Sequence, residues 1–125
     1  MTDARKGSDE PARRAAVRRV LDLLGLAARA GGILTGIDSV RRAAREDQVF
    51  RVLLANDAAP GQQGKLTPLL EARRVPFHTL FTRDELGAAT GRSAVSAIGF
   101  TDRNFARRTG ELVAALTEGR FTAQP

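Results

Sequence analysis

The pattern of hydrophobic and polar positions along the chain predicts a long first helix. Apolar residues recur three and four positions apart, which is the spacing of one buried helical stripe, at Val17, Val20, Leu21, Leu24 and Ala28. Pro11 suits the first turn, where a residue has no intrahelical N–H bond to lose. Residues 1–10 are charged and almost free of apolar side chains, so burial cannot offset the entropy of ordering them. We therefore predict a disordered tail over 1–10 and a first helix from Pro11 to about Gly31.

Four short apolar runs bounded by turn-forming residues predict strands at 32–36, 51–55, 75–80 and 94–100. The stretches between and after them predict helices at 37–46, 62–73, 83–89 and 104–116, the second helix burying Val40, Ala43 and Ala44. Thr82, with Glu85 three residues later, has the pattern of a helix capping box. Strands alternating with helices at this spacing indicate the α/β class, specifically a three-layer α/β/α sandwich around about four strands. We expect one domain over 11–118 and a frayed C-terminus over 119–125.

Charge narrows the choice of partner. Twenty basic residues face fourteen acidic ones, for a net charge of +6, and such a surplus favours a polyanion, with nucleic acid first among them. Only Lys6 and Lys65 are lysines, and arginine suits planar, bidentate contacts with phosphate or guanine. There is no cysteine, which fits a cytoplasmic protein. The longest uncharged run, 93–101, is far shorter than the roughly 18 apolar residues of a membrane span, and 1–10 lacks a signal-peptide core.

The residue types that usually perform catalysis are not arranged for it. His78 is the single histidine; with apolar neighbours in a predicted strand, it is expected to be structural. Asp84 and Glu85 are consecutive, so on a helix they point in different directions and suit capping better than paired acid and base. Ser93 and Ser96 have no nearby histidine to act as base. We therefore expect a protein that is not an enzyme, with no metal, no cofactor and no small-molecule substrate.

The glycine-rich segment 31–36 is a more promising site. It lacks the lysine and spacing of a phosphate-binding P-loop, but it introduces the second helix, where free N–H groups and the positive end of the helix dipole attract anions. That helix presents Asp38, Ser39 and Arg42 on its outer face. The residues alone leave two interpretations open, a phosphate-binding surface or an ordinary solvated helix face.

Several segments together resemble a known family. They are LGLAARAG at 24–31, GIDSVRR at 36–42, LLANDA at 53–58, VPF at 75–77, ELGAATG at 85–91 and AVSAI at 94–98. In this order they closely resemble the YlxQ-like bacterial branch of the kink-turn-binding ribosomal proteins. The resemblance covers about 17–105, and several modest motifs in register make a chance match improbable.

The resemblance implies an α/β/α sandwich that binds RNA through the start of helix two and the loop before the last strand. In the family, a glycine precedes an Asn-Glu-x-x-Lys pattern that contacts the sheared G·A pairs of a kink-turn. Gly36 and Arg42 match the glycine and the lysine, whereas Asp38 and Ser39 depart from the asparagine and glutamate. A serine hydroxyl can make one hydrogen bond but cannot replace a carboxylate, and Asp38 is a residue type that favours capping the helix. Loop 92–96 matches the second contact, where small apolar groups pack against a flipped-out nucleotide.

The sequence thus predicts a non-catalytic, ribosome-associated protein that recognises kink-turn-like structured RNA, with ribosomal RNA as the expected partner and no membrane or small-molecule partner. The candidate RNA-binding residues are Arg29, Gly32, Gly36, Ile37, Asp38, Ser39, Arg42, Asn56, Lys65, Arg92, Ser93, Ala94, Val95 and Ser96. Two alternatives stay open: a substrate-recruiting fragment of an RNA methyltransferase, and a protein-interaction module of the same fold.

Overall fold

The computed structural model describes the backbone of residues 4–119 and the side chains of 10–119. Five helices and four strands alternate along this part of the chain. In order they are α1 (Ala4–Arg29), β1 (Ile33–Thr35), α2 (Ile37–Arg45), β2 (Arg51–Leu54), α3 (Pro60–Ala72), β3 (Phe77–Thr79), α4 (Arg83–Thr90), β4 (Ala97–Phe100) and α5 (Arg103–Thr117).

The four strands form one mixed sheet in the order β1-β4-β2-β3. β4 is antiparallel to both β1 and β2, whereas β2 and β3 are parallel. The register pairs Thr35 with Ile98 and Leu54 with Ala97. The C-terminal ends of β1 and β2 therefore lie beside the N-terminal end of β4, at the same end of the sheet.

Helices cover both faces of the sheet, so the predicted three-layer α/β/α sandwich is confirmed. α2 packs against α3, β1 and β4, while α5 packs against α1, β2 and β4, and α4 packs against α1. Side chains alternate between the faces of a strand. One face of the sheet is covered by α2, because a Cβ on Gly99 would meet Val40 of that helix. The other face is covered by α5. Arg51, which pairs with Phe100 in the sheet, donates to the carbonyl oxygen of Ala106 in α5.

Glycines allow close packing on each face of the sheet. A Cβ on Gly99 would lie 2.8 Å from a methyl of Val49, and one on Gly110 would lie 2.5 Å from the guanidinium of Arg51. Real Cβ atoms do not approach so closely, because packed interiors have no room for overlap. Gly110 thus leaves the space in which the Arg51 side chain lies between the sheet and α5.

The helix ends confirm some local predictions and correct others. Thr82 accepts a hydrogen bond from the N–H of Glu85, and the Glu85 carboxylate accepts one from the N–H of Thr82, so the predicted capping box is confirmed. α3 begins at Pro60, two residues before the predicted start. A proline loses nothing in the first turn.

The start of the first helix differs from the prediction. α1 begins at Ala4, and the predicted first-turn residue, Pro11, lies inside it. The helical backbone over residues 4–10 also differs from the disordered tail predicted over 1–10. These residues include alanine, arginine, lysine and glutamate, which have high intrinsic helix propensities. Residues 1–3 and 120–125 lie outside the described residues. α5 ends at Thr117, close to the predicted end.

The last strand is shorter than predicted, beginning at Ala97 rather than at residue 94. The N–H of Val95 donates to the carbonyl oxygen of Arg83 in α4 at 3.0 Å. Because the N–H of Val95 bonds to α4, it cannot also pair with a neighbouring strand, so residues 94–96 do not all continue the sheet. They form a loop instead.

Candidate functional site

The candidate site lies at the end of the sheet where β1 and β2 end and β4 begins. α2 starts directly after β1, separated only by Gly36. The N–H of Gly36 donates to the carbonyl oxygen of Ala97 at 2.9 Å, and the N–H of Ala55 donates to that of Ser96 at 2.9 Å. These two bonds hold the start of α2 and the end of the loop before β4 to the same edge of the molecule.

The first turn of α2 leaves backbone donors free at this edge. Gly36 is the N-cap, with φ of 101° and no side-chain cap. The first α-helical bond runs from the N–H of Val40 to the carbonyl oxygen of Gly36 at 3.0 Å. The N–H groups of Ile37, Asp38 and Ser39 precede it, and such groups have no intrahelical acceptor. A positive φ of this size is strained for any residue with a Cβ, so glycine is required here.

The second wall is the loop of residues 91–96, which α4 holds in place. Gly91 ends α4 in the left-handed conformation, and the N–H of Arg92 donates to the carbonyl oxygen of Gly87 at 2.7 Å. A Cβ on Gly87 would lie 2.7 Å from the carbonyl oxygen of Ser93. Gly87 is therefore the residue that allows loop 91–96 to lie directly on α4.

Between these walls and the start of α3 is an open depression of about 370 Å³. It is lined by Thr35, Gly36, Ile37, Asp38, Ser39, Gln62, Lys65, Arg92, Ala94, Val95 and Ser96. Lys65 of α3 and Arg92 of loop 91–96 supply positive charge, and Asp38 of α2 supplies one negative charge. Within residues 10–119 none of these three forms an ion pair. The Arg92 guanidinium donates only to the carbonyl oxygen of Thr90, at 2.9 Å.

The depression thus brings together nine of the predicted site residues from three separate segments. The remaining five lie elsewhere: Arg29, Gly32, Arg42, Asn56 and Ser93 do not line it. Arg42 is exposed one helical turn beyond Asp38, Ser93 is exposed within loop 91–96, and Asn56 is exposed after β2. Gly32 is buried, and a Cβ there would meet the Phe105 ring at 3.0 Å.

Two interpretations of individual residues are corrected. Asp38 does not cap α2, because Gly36 is the N-cap and Asp38 lies in the first turn without capping it. Its carboxylate is instead stabilised by the positive end of the helix dipole. Val95 is only 5% exposed and belongs to the hydrophobic core. Ala94 is the exposed apolar residue of the loop, so Val95 supports the loop from below and Ala94 faces the solvent.

Thr35 and Gln62 line the depression but were not among the predicted residues. Gln62 had a detectable signal, because it lies three positions before Lys65 and residues at that spacing share a helix face. Thr35 is the last residue of β1 and precedes Gly36 directly. Its presence follows from the sheet register rather than from any local motif.

His78 lies away from the depression, on β3, and packs against Arg51. The Nη1 atom of Arg51 lies 2.8 Å from Nε2 of His78, and Nε of Arg51 donates to the carbonyl oxygen of Ala106 at 2.8 Å. Burial, followed by repulsion from the Arg51 charge, lowers the pKa of His78 below its ordinary value of 6.5. Burial also lowers the pKa of Arg51. With Arg51 donating, Nε2 of His78 is the acceptor and the ring is neutral.

The described part of the chain has neither a metal-binding cluster nor a membrane-spanning helix. No group of three or more histidine, cysteine or acidic residues in it is placed to hold a metal ion. None of its helices is both long enough and apolar enough to cross a membrane.

Residues 18–109 match the ribosomal protein L7Ae/L30e/S12e/Gadd45 family. The chain belongs to this family. Two relatives are named RNA-binding protein YlxQ. The one from Enterococcus faecium is 30% identical over 96 residues, covering 77% of this chain and 92% of the relative. The one from Bacillus subtilis is 34% identical over 86 residues, covering 69% of this chain and 86% of the relative. The resemblance stated from the sequence is thus confirmed.

Two solved structures have a similar fold. A protein of unknown function from Bacillus halodurans superposes with a TM-score of 0.74 at 36% identity, covering 76% of this chain and 96% of that one. The Giardia lamblia 15.5kD RNA binding protein superposes with a TM-score of 0.69 at 18% identity, covering 84% of this chain and 90% of that one. At that identity the second likeness concerns the fold alone.

Proposed function

We propose that this protein binds structured RNA of the kink-turn type, without catalysis, through the depression between α2 and loop 91–96. The observation that carries the proposal is the convergence there of free first-turn N–H groups of α2 with two unpaired cations, Lys65 and Arg92. Membership of the family and the two relatives named as RNA-binding proteins support it. We extend the proposal to a ribosome-associated role in the cytoplasm, with ribosomal RNA as the partner.

The chemistry of the depression suits a bent, irregular RNA backbone. A phosphate at the start of α2 accepts from the free N–H groups and is stabilised by the helix dipole. Lys65 from α3 and Arg92 from loop 91–96 then neutralise neighbouring phosphates. The open space above Gly36, where a Cβ would meet nothing within 4 Å, admits close approach of the backbone. A regular duplex hides its base edges, whereas a kink exposes them.

Asp38 and Ser39 limit affinity in this proposal. The Asp38 carboxylate lies at the rim of the depression, where it repels phosphate, and Ser39 offers one hydroxyl rather than a carboxylate to a guanine edge. Replacing Asp38 with asparagine removes the repulsion while keeping the size of the side chain. We expect Asp38→Asn to bind a kink-turn RNA more tightly than the parent, and a weaker or unchanged affinity would contradict this role.

The main experiment measures affinity for a kink-turn RNA and for the same RNA with its G·A pairs replaced. The parent should prefer the intact motif. Lys65→Ala and Arg92→Ala should each weaken binding, because both side chains line the depression, with each lost charge-assisted contact worth about 1 to 3 kcal/mol. Arg108→Ala is the control, because Arg108 is an exposed helical arginine on α5, outside the depression. Equal binding by all four proteins would refute the proposed site.

Salt dependence tests the class of partner. If about three to five phosphates are neutralised, the slope of log K against log salt should lie near minus 0.7 to 0.9 per contact. A flat response would favour a protein-interaction module instead. The alternative of a methyltransferase-recruiting fragment gains no support from the two relatives, which are matched over most of their length and named RNA-binding proteins. Methyl transfer to RNA by this chain, with a methyl donor supplied, would contradict a non-catalytic role.

A further inference from the structure

A row of arginines lies along the groove between α1 and α4. Arg29 borders a hollow whose floor includes Gly25, Ala88 and Ala89. Arg18 borders the adjoining hollow in the same groove, which Arg29 also lines. The floor is made of small residues because the two helices approach closely: a Cβ on Gly25 would lie 3.0 Å from the carbonyl oxygen of Ala89.

This groove is continuous with the depression of the proposed RNA site. Arg92 lines that depression and also the end of the groove nearest to it. Arg29 then joins the first hollow of the groove to the second, and Arg18 joins the second to a third hollow farther up α1. Each step along the surface is therefore marked by an arginine shared between two neighbouring hollows.

The positions of these arginines follow from helical geometry. Arg18, Gly25 and Arg29 are separated by seven and four residues, so they share one face of α1. The two arginines are about 16 Å apart along the helix axis at 1.5 Å per residue, a length that spans several phosphates of one nucleic-acid strand. Both side chains are exposed, and neither forms an ion pair with another described side chain.

Two acidic residues also border the groove, Asp22 and Glu85. The Glu85 carboxylate accepts a hydrogen bond from the N–H of Thr82 at 2.8 Å as part of the capping box, so it is occupied within the protein. Asp22 is exposed and is the acidic side chain that opposes an anion there. The groove therefore keeps a positive surplus, with Arg18, Arg29 and Arg92 against these two carboxylates.

We propose that the α1/α4 groove is a second contact surface for RNA, which binds the phosphate backbone of the helical arm that leaves the kink-turn. This inference rests on the proposed function, because the groove is continuous with that site through Arg92. The chemistry is phosphate neutralisation alone. The groove residues named above include no aromatic side chain on which a base could stack, so no sequence preference is expected from this surface.

The test compares a minimal kink-turn RNA with two longer versions, in each of which one helical arm is extended. The parent should bind one of the longer RNAs more tightly than the minimal one. The double variant Arg18→Ala/Arg29→Ala should lose that gain, about tenfold in affinity, with a salt slope shallower by about 1.4 to 1.8 for two lost phosphate contacts. Its affinity for the minimal RNA should change less than about twofold, since the minimal RNA does not reach the groove.

The control is the double variant Arg19→Ala/Arg45→Ala. Arg19 is exposed on α1 but lines none of the hollows described here, and Arg45, like Arg29, lies in the last turn of its helix. Each double variant removes two positive charges, one within α1 and one from a last helical turn. The control should keep the gain from the longer RNA. Equal losses in both doubles would reduce the effect to net charge and overturn the proposal.

The remaining outcomes separate this inference from the proposed function. If the parent binds the minimal RNA, and Lys65→Ala weakens that binding, but neither longer RNA binds more tightly, the groove is not an RNA surface although the first site stands. If the minimal RNA is not bound at all, both proposals fail. Asp22→Asn provides a variant of opposite sign, and it should raise affinity for the longer RNA alone. A lower affinity for it would count against the groove.

Discussion

Arg51 and Arg92 carry the same side chain but lie in regions that use it differently. Arg51 is partly buried between the sheet and α5, where it donates to Ala106 and to His78. Arg92 is exposed in loop 91–96, and its guanidinium donates to the carbonyl oxygen of Thr90. The first region, which we call the Arg51 cluster, satisfies its polar groups within the protein. The second leaves its cations and the first-turn N–H groups of α2 facing solvent.

Hydrogen-bond partners separate structural from functional arginines in this basic protein. Both arginines contribute equally to the net charge of +6, and the residue type alone does not distinguish them. An internally satisfied cation contributes to stability, and removing it leaves polar partners without a donor. An exposed cation with few partners contributes little to folding and remains available to a ligand.

Val95→Glu should have the largest effect, because Val95 supports the site from inside the core. Placing a carboxylate at a position only 5% exposed should lower the free energy of unfolding by about 3 to 5 kcal/mol. Urea unfolding measures this loss. Ala94→Glu, one residue away on the exposed side of the loop, should fold like the parent and lose only RNA affinity. A Val95→Glu protein as stable as the parent would mean that Val95 points into the depression.

Gly87→Ala should be next, because the added Cβ would overlap the backbone of loop 91–96 at Arg92 and Ser93. We expect a loss of about 1 to 3 kcal/mol in the free energy of unfolding, together with weaker RNA binding from the displaced loop. The control is Gly64→Ala, at a helical glycine of α3 where a Cβ would meet nothing. That change should stabilise the protein by about 0.5 to 1 kcal/mol. Equal effects of the two alanines would remove the close-contact explanation.

Arg51→Ala and Arg92→Ala compare the two regions directly. Arg51→Ala should lower the free energy of unfolding by about 1 to 2 kcal/mol, since Ala106 and His78 lose a donor, and it should leave RNA affinity unchanged. Arg92→Ala should change stability by less than about 0.5 kcal/mol and weaken RNA binding. Thermal midpoints and titrations on the same samples measure both quantities. If the two variants behaved alike, the division between structural and functional arginines would be wrong.

The smallest effect should be a pH dependence of stability from the Arg51 cluster. The pKa of His78 is lowered in the folded state, so the unfolded chain binds more protons just below pH 6.5, and stability falls as the pH falls through that range. Protonation would place a second donor against Nη1 of Arg51. His78→Gln should remove this component of the fall in thermal midpoint between pH 7.5 and 5.5. An unchanged slope in His78→Gln would assign the fall to other groups.

The fold was largely predictable because its elements carry local signals. The period of apolar residues predicts α1 and α2, and the Thr82 and Glu85 pair predicts the start of α4. Element ends were less predictable. β4 begins at Ala97 because Val95 donates to Arg83 across the fold, and a contact between segments leaves no trace in either segment alone.

The order of helices and strands, the glycine before α2, the basic surplus and the family could all be predicted from the sequence, because each depends on residue type and spacing along the chain. Which distant residues meet depends instead on the tertiary structure. The antiparallel register of β4 brings Thr35 and loop 91–96 to one end of the sheet, and the packing of α3 against α2 places Lys65 beside them. The tertiary structure also places Val95 inside the core while Ala94 stays outside. It also sends Arg51 to His78 and Ala106. These outcomes depend on packing between distant segments, where burial and hydrogen-bond satisfaction, rather than local propensity, set the side-chain environment.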